Sequence, residues 1–167
     1  MSYYVRKIAR AKWPETACDI NSLPADAISD LRTTGNTLSV WRIDSLSDLD
    51  KAALALAASS KSDKIETISL IWIDEEDILH NSFATENSEG DTIVEDLSSL
   101  HRDFVGLTYA SLGSLSSLII KSLELNQYQR YTKAKIKSAL LDAFKHSRIP
   151  KERCHPALYE QLQNMNS

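Results

Sequence analysis

His146, Cys154 and His155 are the one place in the sequence where thiol and imidazole groups gather. Zinc asks for three or four such ligands converging tetrahedrally, so a fourth would have to come from Cys18 or His101. The simpler reading puts the His146 cation at a helix C-terminus, where the dipole favours it, and packs Cys154 as a small hydrophobe. No metal is expected. Arg148 and His155 stand seven positions apart, but Pro150 between them keeps the two side chains off a single helix face. The four glycines (Gly35, Gly90, Gly106 and Gly113) have neither phosphate-loop nor dinucleotide spacing, and a backbone cradle for phosphate needs glycines that permit close approach. No cofactor is expected, and no residue is assigned a catalytic role.

The acidic stretch is more informative. Asp74-Glu75-Glu76-Asp77 is followed by Glu86, Glu89, Asp91, Glu95 and Asp96. The spacing lacks the alternating D-x-D-x-D-G pattern of a calcium loop. Carboxylates of this density suit a basic protein partner, since charge complementarity speeds encounter and fixes register. The expected partner-binding residues are therefore Asp74, Glu75, Glu76, Asp77, Glu86, Glu89 and Asp91. The first four are expected to be aimed outward from a strand end, and Glu86, Glu89 and Asp91 to form a mobile flap. Downstream, Tyr128, Arg130, Tyr131, Lys133, Lys135 and Lys137 interleave rings with cations, a pattern that nucleic-acid binders use. An alternative reading thus places nucleic acid on Arg130, Lys133, Lys137, Lys145 and Arg148. His101-Arg102-Asp103 repeats three letters of a kinase catalytic loop without its downstream asparagine, and carries nothing.

The elements that must position these residues follow from periodicity. Tyr3 to Trp13 reads as strand, ended by Pro14, and Pro24 opens a short helix through about Arg32 with Ala27, Ile28 and Leu31 inward. Gly35-Asn36 is a turn signal. Leu38 to Ile43 reads as strand, with Leu38 and Val40 on one side and Trp41 and Ile43 on the other. Ser45 caps a helix built on the alanine-rich run 52–58. Ile65 to Ile73 is apolar on both sides, as a covered central strand is. Residues 74–99 read as one long connection. The last 67 residues read as helical: a wheel from Asp103 to Leu125, a helix from about Thr132 to His146, and a last one from Pro156 to about Gln161. On the wheel, Gly106, Ala110, Gly113 and Ser117 form a stripe where another backbone is expected to come close.

These elements give an α/β or α+β fold over 1–167 as one domain: a small sheet of about three strands with helices between them (1–73), an acidic connection (74–99) and a helical half (100–167). Strand–helix–strand order favours right-handed crossovers and some parallel pairing. At 167 residues and 43% hydrophobic, the chain is large enough for one sizeable core.

Net charge is −4, but it is unevenly spread. Residues 1–12 carry +4; five basic and eighteen acidic residues give 13–100 a charge of −13; residues 101–167 carry +5. Such separation concerns partners and association. No apolar run reaches the roughly 18 residues of a membrane span, and the first residues carry no apolar h-region of a signal peptide. With Cys18 and Cys154 far apart and read as free thiols, the expected address is cytoplasmic. The leading expectation is a non-enzymatic binding protein that inhibits or regulates a basic protein partner, in the manner of an immunity protein for a nuclease toxin. Nucleic-acid binding through the C-terminal helices, and a homo-oligomer joining acidic to basic surfaces, are the alternatives.

Overall fold

The computed structural model describes residues 1–15 and 18–166. Strand β1 (Tyr3–Lys7) is followed by 3-10 turns at Arg10–Lys12, Ile20–Ser22 and Ala25–Leu31. The Gly35-Asn36 turn then reverses the chain, both residues having positive φ (61° and 59°), the conformation of a tight hairpin turn. Strand β2 (Leu38–Ile43) leads through a 3-10 turn capped by Ser45 into helix α1 (Leu49–Ala57). Strand β3 (Ile68–Asp74) runs directly into helix α2 (Glu75–His80). Then come strand β4 (Ala84–Asn87), helix α3 (Glu95–Ser98), strand β5 (His101–Val105) and helix α4 (Tyr109–Glu124). Strand β6 (Tyr128–Tyr131), helix α5 (Lys133–Lys145) and helix α6 (Pro156–Asn166) complete the order.

The six strands form one sheet in the order β4-β5-β2-β1-β3-β6, and every neighbouring pair is antiparallel. Strands β2 and β3 run the same way but are separated by β1, which is inserted between them. Strands β5 and β6 likewise run the same way and are joined by α4 across the three strands between them.

Period-2 alternation decides which face each side chain takes. On one face Val5, Trp41, Ile43 and Leu70 pack with α1, α3, α5 and α6. On the other Tyr4, Val40, Ile71, Ile73 and Phe104 pack with α4, Ile78 of α2 and the 3-10 turns. The molecule is therefore a helix–sheet–helix sandwich with two cores. Among the described residues no helix is long and apolar enough to cross a membrane.

Several expectations are corrected by this topology. The sheet has six strands, not about three, and no parallel pairs, because β1 occupies the place beside β2 that a parallel β3 would need. Residues 74–99 are not a single long connection: they hold α2, the edge strand β4 and α3. The C-terminal part is helical only in part, since β5 and β6 lie within it. The expected first strand stops at Lys7 and turns into a 3-10 segment before Trp13. Ile28 is exposed rather than inward, while Ala27 and Leu31 are buried as expected.

The wheel starting at Asp103 is displaced too. Asp103 and Phe104 belong to β5, and α4 begins only at Tyr109, where Thr108 and Ser111 form a reciprocal capping box. Nothing lies within 4 Å of where a Gly113 side chain would begin, and Ala110 and Ser117 are exposed. The small-residue stripe faces solvent, whereas Ser116 is buried.

Candidate functional site

Register places the acidic residues at one end of the sheet. Tyr3 pairs with both Ile43 and Asp74, so Ser2, Asp44 and the start of α2 emerge together. Arg42, on the last full turn of the β2 pleat before the end, ties them. Its Nε donates to Glu75 Oε1 at 3.0 Å, Nη1 to Asp44 Oδ1 at 2.9 Å and Nη2 to Ser2 Oγ at 2.9 Å. Ser2 Oγ in turn donates to Asp44 Oδ1 at 3.2 Å, and the Glu75 amide donates to the Ser2 carbonyl at 3.0 Å. The hydrogen bond to Glu75 is the main reason the Arg42 guanidinium holds its proton more firmly than usual, with burial opposing.

The expected partner-binding residues separate into two kinds. Asp74 accepts from Gln127 Nε2 at 3.3 Å, Glu75 is held by Arg42, and Asp77 accepts from Lys121 Nζ at 2.7 Å. These three hold α2 and the α4–β6 connection to the sheet end. Asp91 accepts hydrogen bonds from the Ser59 and Ser60 hydroxyls at 2.8 and 2.6 Å, which pull its carboxyl below the ordinary value against the burial that raises it. Glu76, Glu86 and Glu89 are exposed, and none of them has a side-chain partner among the described residues. Glu86 does not sit on a flap: it lies in β4, paired opposite Asp103 at the far edge of the sheet.

Glu76 of α2 therefore stays with the Arg42 group, while Glu86, Glu89 and Asp91 belong to a different edge. Sequence reasoning missed Arg42 and Asp44. Their signal is Arg42 itself, the one charge inside an otherwise apolar alternation, placed two residues from an acid. Met1 and Leu46 flank the same sheet end and are 71% and 39% exposed. Carboxylates fixed by a network and edged with apolar side chains can grip a cationic surface with little ordering cost.

The basic residues of the alternative reading are not brought to one place. Arg130 is on β6, Lys133 and Lys137 lie at the start of α5, and Lys145 ends that helix, roughly 18 Å along from Lys133 at 1.5 Å per residue. Arg148 is committed to Asp96 at 2.6 Å. Tyr131 is buried and donates its hydroxyl to Asp50 Oδ1 at 2.7 Å, while Lys135 reaches the same carboxylate and lies over the Tyr131 ring.

The three possible metal ligands take other tasks. His146 is the C-cap of α5, with Nδ1 at 2.8 Å from the Asp142 carbonyl. His155 Nδ1 accepts from the Ala157 amide at the start of α6, at 3.3 Å. Cys154 is buried, which pushes its thiol pKa up. Among the described residues no group of three or more metal-ligating side chains converges.

No family model matches the chain, and neither a curated protein nor a solved structure matches it.

Proposed function

We propose that this protein binds a basic protein partner through the acidic end of its sheet and thereby inhibits or regulates it, as an immunity protein does a nuclease toxin. The observation that carries this reading is the Arg42 network, which holds Asp44 and Glu75 in fixed positions beside the exposed Glu76. Fixed carboxylates speed encounter with a cationic surface and set its register. Met1 and Leu46 beside them supply apolar contact area, which charge alone lacks. The reading shifts the binding surface from the whole of 74–91 to the sheet end, with Asp44 and Glu76 at its centre.

The test is retention from a lysate of the source cells on the immobilised protein at low salt, compared with an Asp44→Asn/Glu76→Gln variant. Both side chains are exposed, so the variant keeps the fold. The expected result is a protein of positive net charge held by the parent and lost from the variant. Retention of the same proteins by both forms counts against the proposal.

A further inference from the structure

At the opposite end of the sheet from Asp44 and Asp74, two depressions of about 640 and 480 Å³ lie side by side. They share Ala9, Arg10, Thr67 and Ser69, and so form one trough over the start of β3 and the segment that follows β1. Arg10 lines both depressions and Arg130 the first, whereas Lys7, at the rim of the second, follows Val5 and Leu70 onto the opposite face of the sheet. The Arg10 guanidinium lies 5.7 Å from the centre of the Tyr128 ring, and the Tyr128 hydroxyl is hydrogen-bonded to Ser69 Oγ at 3.1 Å.

Arg10 and Arg130 have no carboxylate partner among the described residues, whereas Arg6 lies beside Asp30, whose charge supports its protonation. Among the described residues none of the ion pairs includes Arg6, Lys7, Arg10, Lys12 or Arg130. Arg10 donates to the Trp13 carbonyl at 2.9 Å, and Arg6 donates to the carbonyls of Asp30 and Ser39. Such partners orient a guanidinium without cancelling its charge. Burial lowers the Arg6 pKa to about 10, with Asp30 opposing, so it too is a cation at neutral pH. Of the carboxylates that line the trough, Glu66 is paired with Lys64, while Asp30, which accepts from the Ala9 amide and the Trp13 indole, keeps its charge beside Arg6. Glu15 is the remaining one.

We propose that this trough binds single-stranded nucleic acid, with Arg10 and Arg130 on neighbouring phosphates and an unpaired base laid beside the Tyr128 ring. An open trough suits a chain-like ligand, because sites for small molecules enclose most of the ligand surface. Uncompensated cations beside an aromatic ring are the combination by which unpaired strands are held, since every base has a face to stack. A duplex keeps its bases stacked on one another and gains only the phosphate contacts. The residues differ from the helix-borne lysines of α5, and the proposal stands independently of the acidic end.

The experiment is fluorescence anisotropy of a labelled 12-nucleotide oligouridylate with the intact protein at 50 and 200 mM salt. Two phosphate contacts give a slope of log affinity on log salt of about −1.4, a loss of roughly sevenfold over that range. Arg10→Gln/Arg130→Gln is expected to weaken binding at least about tenfold at 50 mM salt and to bring the slope near zero. Arg130→Gln alone, at an exposed side chain, lowers the slope by about 0.7 and serves where the double variant unfolds. Lys133→Gln/Lys145→Gln and Asp44→Asn/Glu76→Gln leave the affinity at or above the parent value. Absence of binding by the parent at 50 mM salt overturns the proposal. So does equal binding by the Arg10→Gln/Arg130→Gln variant, equal affinity for a duplex of the same length, or full displacement by an acidic phosphopeptide.

Discussion

Arg42 holds Glu75 at 3.0 Å and Asp44 at 2.9 Å from two edges of one guanidinium, joining the end of β2 to the first turn of α2. The two contacts differ in kind. The Arg42 and Glu75 side chains are each 30% exposed, whereas Asp44 is 80% exposed, so water screens the second contact far more. Arg42→Gln is expected to cost about 1 kcal/mol, and Asp44→Asn less than about 0.5 kcal/mol. Urea unfolding midpoints decide this: equal losses from the two variants would show that the network is not centred on the Arg42–Glu75 contact.

Gly90 is the glycine that the packing requires. A Cβ there would lie 2.5 Å from Trp41 Cη2 and 2.9 Å from His101 Cβ, both on side chains that pack into the sheet face. Gly90→Ala should cost about 1–3 kcal/mol through overpacking. Gly113 is in mid-helix with open space around it, and Gly113→Ala should gain about 0.5–1 kcal/mol. Thermal unfolding of the two variants in opposite directions is the expected outcome; a neutral Gly90→Ala would mean that the 88–94 loop does not seal Trp41.

His101 makes stability depend on pH. Burial lowers its pKa below 6.5, opposed by Asp103 and the Ser88 hydrogen bond and reinforced by Arg102. The folded state therefore keeps the ring neutral, while the unfolded chain takes up a proton as pH falls past 6.5. Stability from this group is complete above pH 6.5 and declines as pH falls toward the lowered folded value. Between pH 7.5 and 5.5 the denaturation midpoint of the parent should fall more than that of His101→Gln. Parallel curves would remove His101 as the cause.

Ser116 and Ser117 give a sharp contrast on α4. Ser116 is buried and donates to the Leu112 carbonyl at 2.9 Å, whereas Ser117 is exposed. Ser116→Leu should lower the melting temperature well below that of Ser117→Leu, since added methylenes in a filled core force neighbours aside. Equal melting temperatures would mean that α4 is rotated from the orientation described.

The sequence was most legible where one residue pattern meets one burial pattern. Leu38–Ile43 alternates cleanly, and its two sets of side chains enter the two cores as the alternation predicts. Gly35-Asn36 and the 133–145 helix follow from local chemistry alone. Strand β6 was not legible: Tyr128-Gln-Arg-Tyr is short, polar on one side and exists through pairing with β3. Strand β5 is hidden by its neighbours, because Phe104 and Leu107 fit helical spacing by accident. Antiparallel order was hidden for the same reason, since only long-range pairing puts β1 between β2 and β3. The site was half legible. The acids of 74–77 stand out by composition, but Arg42 and Asp44 join them only through the register of β1 with β2 and β3. Arg10 and Arg130 are 120 positions apart in the chain, and the pairing of β3 with β6 brings them to one depression.

The most direct measurement of the acidic end's role is the association rate of the retained basic protein with the parent and with Asp44→Asn/Glu76→Gln, at low and high ionic strength. Salt screens long-range attraction between exposed charges, and steering shows in the on-rate more than in the off-rate. The parent is expected to associate several-fold faster than the variant at low salt, and the two rates to converge at high salt. Equal association rates at low salt would leave Asp44 and Glu76 as solvated surface charges with no part in binding.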